Sequence, residues 1–173
     1  MAINFPADLE EKIKEGTISY GAGASLRFLD EKDRSAVCRF LAKLRLSSSL
    51  MKEFSEYILE ISKRDGVSAS EIINSANIEK ITGMDCSAKI KTAKIRQLLR
   101  TRRYPSLTAK ENELKAALKK LAFSRNLSLR YPENFEGKKV SLTIRFENTA
   151  ELKKALAEID KKTALLYKFL ELL

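Results

Sequence analysis

The residues whose types and spacing best support a chemical role lie between Ala88 and Tyr104, AKIKTAKIRQLLRTRRY. On a 3.6-residue period Lys89, Arg96, Arg100 and Arg103 line up on one face, and Ala88, Ile95, Leu98 and Leu99 fall on another. The segment therefore predicts an amphipathic helix with a cationic stripe. Ser87 precedes it as an N-cap, Pro105 pushes the residue before it out of the α region, and Arg100, Arg102 and Arg103 suit the negative end of the helix dipole. Side-chain cations in such a row contact phosphate oxygens without reading bases. Lys89, Lys94, Arg96, Arg100, Arg102 and Arg103, with Lys115 and Lys119 of the following segment, are thus the expected contacts to a DNA backbone. The bland reading of any single basic run is a solvated helix face.

Charge distribution sharpens that choice. Residues 1–86 hold 12 Lys/Arg and 14 Asp/Glu, residues 87–130 hold 13 and 2, and residues 131–173 hold 8 and 7, so the middle block carries the whole excess behind the net charge of +10. A basic block in an otherwise near-neutral chain of 173 residues is the pattern of a surface that meets a polyanion. Catalytic signals are few. The chain has no histidine, which excludes the usual Cys/His zinc sites and every Ser/His or Cys/His arrangement. Cys38 and Cys86 stand far apart with no pairing pattern and read as reduced thiols. No phosphate-binding glycine loop occurs, and Gly21-Ala22-Gly23 sits in a helical context. The acidic cluster Asp30-Glu31-Asp33 reads as helix N-terminal charge. An enzyme, a cofactor or a metal is therefore not expected. No run approaches ~18 apolar residues and the N-terminus lacks a signal-peptide order, so the expected setting is cytoplasmic, without membrane contact.

Helices must position the stripe. Pro6 to Glu15 predicts a short helix with Leu9 and Ile13 inward, and Ser19 caps a second over Tyr20 to Leu29 that is rich in small residues. A third spans Asp30 to Leu44, with Val37, Phe40, Leu41 and Leu44 on one face. The residues FPADLEEKIKEGTISYGAGASLRFLDEKDRSAVCRFLAKLRLS resemble the segment that follows the helix-turn-helix in ParB-type chromosome and plasmid partition proteins. Phe5-Pro6, Glu15-Gly16-Thr17-Ile18-Ser19, Gly21 to Leu26, Asp30 to Arg34 and Leu46-Ser47 carry the likeness, over about a quarter of the chain. The family's histidine-alanine-arginine step reads Ala22-Gly23-Ala24-Ser25 here, with the arginine displaced to Arg27. The resemblance implies a DNA-associated helical domain. Neither base-reading residues nor CTP binding carry over, because nothing in the chain aligns with them.

Beyond Leu46, Ser47 to Arg64 predicts a long helix ending at Asp65-Gly66, and a Ser68-Ala69-Ser70-Glu71 capping box opens a short one. Another helical turn over Ile78 to Ile81 leads through Thr82 to Asp85 into the basic helix. After Pro105 a second capping box, Thr108 to Glu111, opens a helix to about Phe123. Leu127 to Tyr131 and Val140 to Phe146 then alternate at period two as a hairpin does, joined by Pro132 to Lys139. From Thr149 a helical stripe of Leu152, Leu156, Ile159, Leu165, Leu166, Phe169 and Leu170 runs to the end. The expected fold is mostly α: a helical bundle over 1–105, then a small α-β-β-α unit over 106–173. The terminal stripe packs either on the N-terminal helices or on a second copy, which would make a homodimer. DNA is the expected partner, and a protein-interaction or dimerisation module without DNA affinity is the alternative.

Overall fold

The structure is a computed structural model and describes residues 3–132 and 139–173. The described residues are mostly helical, with ten helices and one two-stranded antiparallel sheet. They form two compact units that divide between Tyr104 and Pro105. The connection expected from Pro132 to Lys139 falls, over 133–138, outside the described residues.

The first unit holds α1 (Ala7–Lys14), α2 (Tyr20–Leu26), α3 (Glu31–Leu44), α4 (Ser48–Asp65), α5 (Ala69–Ile73), α6 (Ala76–Thr82) and α7 (Ala88–Arg103). Local chemistry sets most of these ends. The side chains of Ser19, Asp30, Ser47, Ser68 and Ser87 each accept an amide of the first turn they precede, and Ser68 with Glu71 completes the capping box. Gly66 closes α4 in the left-handed conformation, at φ 66°. The helix α2 stops at Leu26, three residues short of its sequence expectation, and Leu29 still enters the core from the turn that follows.

Amphipathic α4 is the central strut. Its Phe54, Ile58 and Ile61 are fully buried, and α2, α5 and α7 all pack on it. Gly23 lets α1 and α2 approach: a Cβ there would lie 2.6 Å from Cδ1 of Ile13 and 3.2 Å from the Phe5 ring. Gly23→Ala gains about 1 kcal/mol of helix propensity but overpacks the seam, so a net loss of about 1 kcal/mol is expected in chemical unfolding. Two buried ionic groups tie distant helices together. The Arg34 guanidinium donates to both Asp8 carboxylate oxygens at 2.9 Å and to the Leu29 carbonyl, joining α3 to α1. Asp33 accepts from the amides of Ala69 and Ser70 and from the Ser70 hydroxyl. Of the acidic cluster, then, Asp30 caps its own helix, while Asp33 holds the start of α5.

The second unit holds α8 (Pro105–Leu121), β1 (Leu127–Arg130), β2 (Ser141–Ile144), α9 (Thr149–Lys161) and α10 (Thr163–Glu171). The strands pair with Leu127 opposite Ile144 and Leu129 opposite Leu142. Two elements differ from expectation. Helix α8 starts at Pro105, not Thr108, because proline is tolerated in a first helical turn, where its missing amide would find no helical partner anyway. The terminal helix is broken at Lys162, whose ammonium donates to the Ala122 carbonyl and to Glu158. That break turns α10 onto α8, where Phe169 is fully buried with Leu114 and Leu121. Phe169 and Leu166 therefore serve the core of their own unit, while Leu165 and Leu170 stay exposed.

Candidate nucleic-acid interface

Helix α7 is a rod with its apolar side on α4: Ile95 and Leu99 are buried, Leu98 is half-buried and Ala88 is exposed. Of its six apolar residues only Ile95, Leu98 and Leu99 turn inward, which leaves room for cations around most of the circumference. They do not form one outward plane. Lys89 and Lys94 are both exposed, yet five residues of helix separate them by about 140° of rotation. Lys94 points its ammonium at the Met84 sulfur, 3.6 Å away, and Lys91 donates to the Thr82 carbonyl, so both lean over the loop that enters the helix.

Three of the expected DNA contacts are committed to carboxylates of α4. Arg96 pairs side-on with Glu53, Nε and Nη2 each 2.8 Å from a carboxylate oxygen. Arg102 reaches Asp65 at 3.1 Å, and Arg103 pairs with Glu60. Arg64 of α4 completes the seam by donating to the carbonyls of Arg102 and Arg103 at 2.7 and 2.9 Å, which satisfies two otherwise unpaired groups at the end of α7. Tyr104 stacks edge-on against Tyr57 beside it, with the Arg103 guanidinium over its ring. Arg100 also has an interaction partner. Most of the arginines that look free in a linear reading thus bind α7 to α4.

The electrostatics follow from these pairs. Partial burial works to raise the Glu53 carboxyl, but the Arg96 guanidinium and the Tyr57 hydroxyl outweigh it and hold the group below its usual value. The same neighbourhood pushes Tyr57 up to about 12, through burial first and then Glu53. Asp65 is lowered by Arg64 and then Arg102. The Arg96 side chain remains 53% exposed, so its pair with Glu53 is screened by solvent and leaves one edge of the guanidinium outward.

Folding creates a site that no single segment holds. The chain leaves α3 through Arg45, in the left-handed region at φ 49°, and enters α4 after Leu46 and Ser47. This corner faces α7 across a groove of about 640 Å³, lined by Leu44, Leu46 and Leu50 from the corner and by Lys89, Ala93 and Arg96 from α7. Arg45 joins the cations at its edge, and none of the residues lining the groove is acidic. Arg45 and the three leucines were not legible as site residues, because nothing in their types distinguishes them from an ordinary helix end. Lys115 and Lys119 are exposed on α8 in the second unit.

The fold and site define a mostly helical protein with a basic, partly apolar groove on its first unit and a small α+β second unit. No protein-family model, curated protein or solved structure matches the chain. Among the described residues no cluster of metal-ligating side chains occurs and no helix is long and apolar enough to cross a membrane.

Proposed function

We propose that the protein binds DNA by contacting backbone phosphates. The observation that carries this reading is the convergence of Arg45, Lys89 and Arg96 on one concave surface with no acidic lining residue. A concave basic surface focuses potential on a polyanion and raises its local concentration. The excess of 13 cations over 2 acids in residues 87–130 and the ParB-like order of residues 5–47 support the same reading. Lys94 adds a contact on the flank of α7, and Lys115 and Lys119 add exposed cations on α8.

The ion pairs change what salt should do. With Arg102 and Arg103 held by α4 and Arg96 contributing only the solvent-facing edge its pair with Glu53 leaves, Arg45, Lys89, Lys94 and Arg96 give the first unit about four phosphate contacts, so log K falls with log salt at a slope of about −3.5. Lys89→Glu with Lys94→Glu weakens unrelated duplexes alike, because phosphate contacts carry no base information. Arg102→Ala leaves that slope unchanged and lowers the thermal midpoint instead. Gel shifts over a salt series measure each of these. A slope near zero, or no duplex retention at low salt, overturns the reading.

A second reading has its own observation. Five exposed large apolar residues, Phe146, Leu156, Leu165, Tyr167 and Leu170, belong to the second unit. Self-association of the second unit through these side chains predicts a dimer in light scattering that Leu165→Asp with Leu170→Asp converts to monomer. Phe169→Asp does not test it, since that substitution removes the core of the unit.

A further inference from the structure

The groove between the α3–α4 corner and α7 has a composition that DNA alone does not use. Leu44, Leu46 and Leu50 are only half-buried, and with exposed Ala93 they form an aliphatic floor. A phosphate backbone offers such a floor nothing to bury, and no aromatic side chain lines the groove for a base to stack on. What fits both floor and rim is a chain that is aliphatic on one side and acidic on the other.

We propose that this groove docks an acidic amphipathic helix of a partner protein, its aliphatic side chains on the leucine floor and its carboxylates on Arg45, Lys89 and Arg96. Charge complementarity chooses this occupant: the rim is cationic and none of the lining residues is acidic, Glu53 meeting one edge of the Arg96 guanidinium from outside the lining. The α7 wall from Ala88 to Arg100 is about 18 Å long, which matches three helical turns of ligand with anchors at i, i+3 or i+4, and i+7. This inference goes beyond the DNA reading and does not depend on it. The two ligands share Arg45, Lys89 and Arg96, so they compete.

The test is fluorescence anisotropy of the full chain with a labelled peptide of about 14 residues, carrying leucines at i, i+4 and i+7 between glutamates. Its control is a scrambled peptide of equal composition. The striped peptide should bind at least about tenfold more tightly than the scrambled one, since burying two or three aliphatic anchors separates them by that much. Ala93→Trp fills the groove without removing a charge and should abolish that preference, while duplex binding through the rim cations persists. Arg45→Glu, on an exposed corner, provides a second variant should the tryptophan disturb folding by circular dichroism. It should weaken the striped peptide by about tenfold. Equal binding of striped and scrambled peptides overturns the proposal, because charge alone would then explain retention. So does a striped peptide indifferent to both substitutions. Peptide binding without duplex binding upholds the groove and faults the DNA reading, and the reverse outcome does the opposite.

Discussion

Phe54→Ala is expected to lower the unfolding free energy of the first unit by about 4 kcal/mol. Phe54 has no exposed surface and sits midway along α4, the helix on which α2, α5 and α7 all converge. Removing its ring takes away transfer free energy and leaves a void that three packed helices cannot all collapse into. Domains of this size are stable by only about 5–15 kcal/mol, so the substitution removes roughly a quarter to four-fifths of that stability. Denaturant unfolding followed by circular dichroism checks this, with an early transition for the first unit separated from that of the second. Because α7 is mounted on the same helix, duplex binding should be lost along with the early transition. A loss below about 1 kcal/mol would show that Phe54 is not the centre of the unit.

Asp33→Ala should cost about 2–3 kcal/mol, from one buried side chain that touches no groove residue. Its carboxylate accepts from the Ala69 amide at 2.6 Å, the Ser70 hydroxyl at 2.6 Å and the Ser70 amide at 3.1 Å. Alanine leaves those two amides without their acceptor and releases α5 from α3. Burial pushes the Asp33 carboxyl upward, but the Ser70 hydroxyl and the two amides outweigh it, so the folded value lies below the ordinary 3.8. The sign follows directly. The folded state prefers the ionised form, so the stabilisation is complete at pH values above the unfolded value of 3.8 and is lost as pH falls through the lowered folded value. Acid titration of stability should therefore be shallower in Asp33→Ala than in the parent chain across that window. Parallel acid profiles for the two proteins would refute the assignment.

Much of the fold was legible because its signals are local. A serine before an apolar period marks a helix start, and Ser19, Ser68 and Ser87 cap as their sequence context implies, while Asp30 and Ser47, expected as first helical residues, also cap. Alternation at period two likewise located both strands within two residues of their observed ends. The break at Lys162 was not legible, because the apolar stripe runs through it and the ammonium there bonds a carbonyl 40 residues away. The C-terminal end of α2 carries no such signal, and the box-like Thr108 to Glu111 falls inside α8, so both bounds differ from the sequence reading.

The candidate site divides along the same line. Sequence by itself determined that α7 is a helix, that it is strongly basic and that Ile95 and Leu99 face inward, since these depend on residue type and a 3.6-residue period. Only the tertiary structure decided which cations remain available. Glu53, Glu60 and Asp65 lie 43, 43 and 37 residues from the arginines they hold, and whether two charges that far apart in the chain come within 4 Å depends on how α4 and α7 cross. Arg45 reached the groove by the same route: its place beside Lys89 and Arg96 comes from the turn of one helix onto the next. Charge is a property of the residue, but pairing is a property of distance, and distance between segments is set by packing.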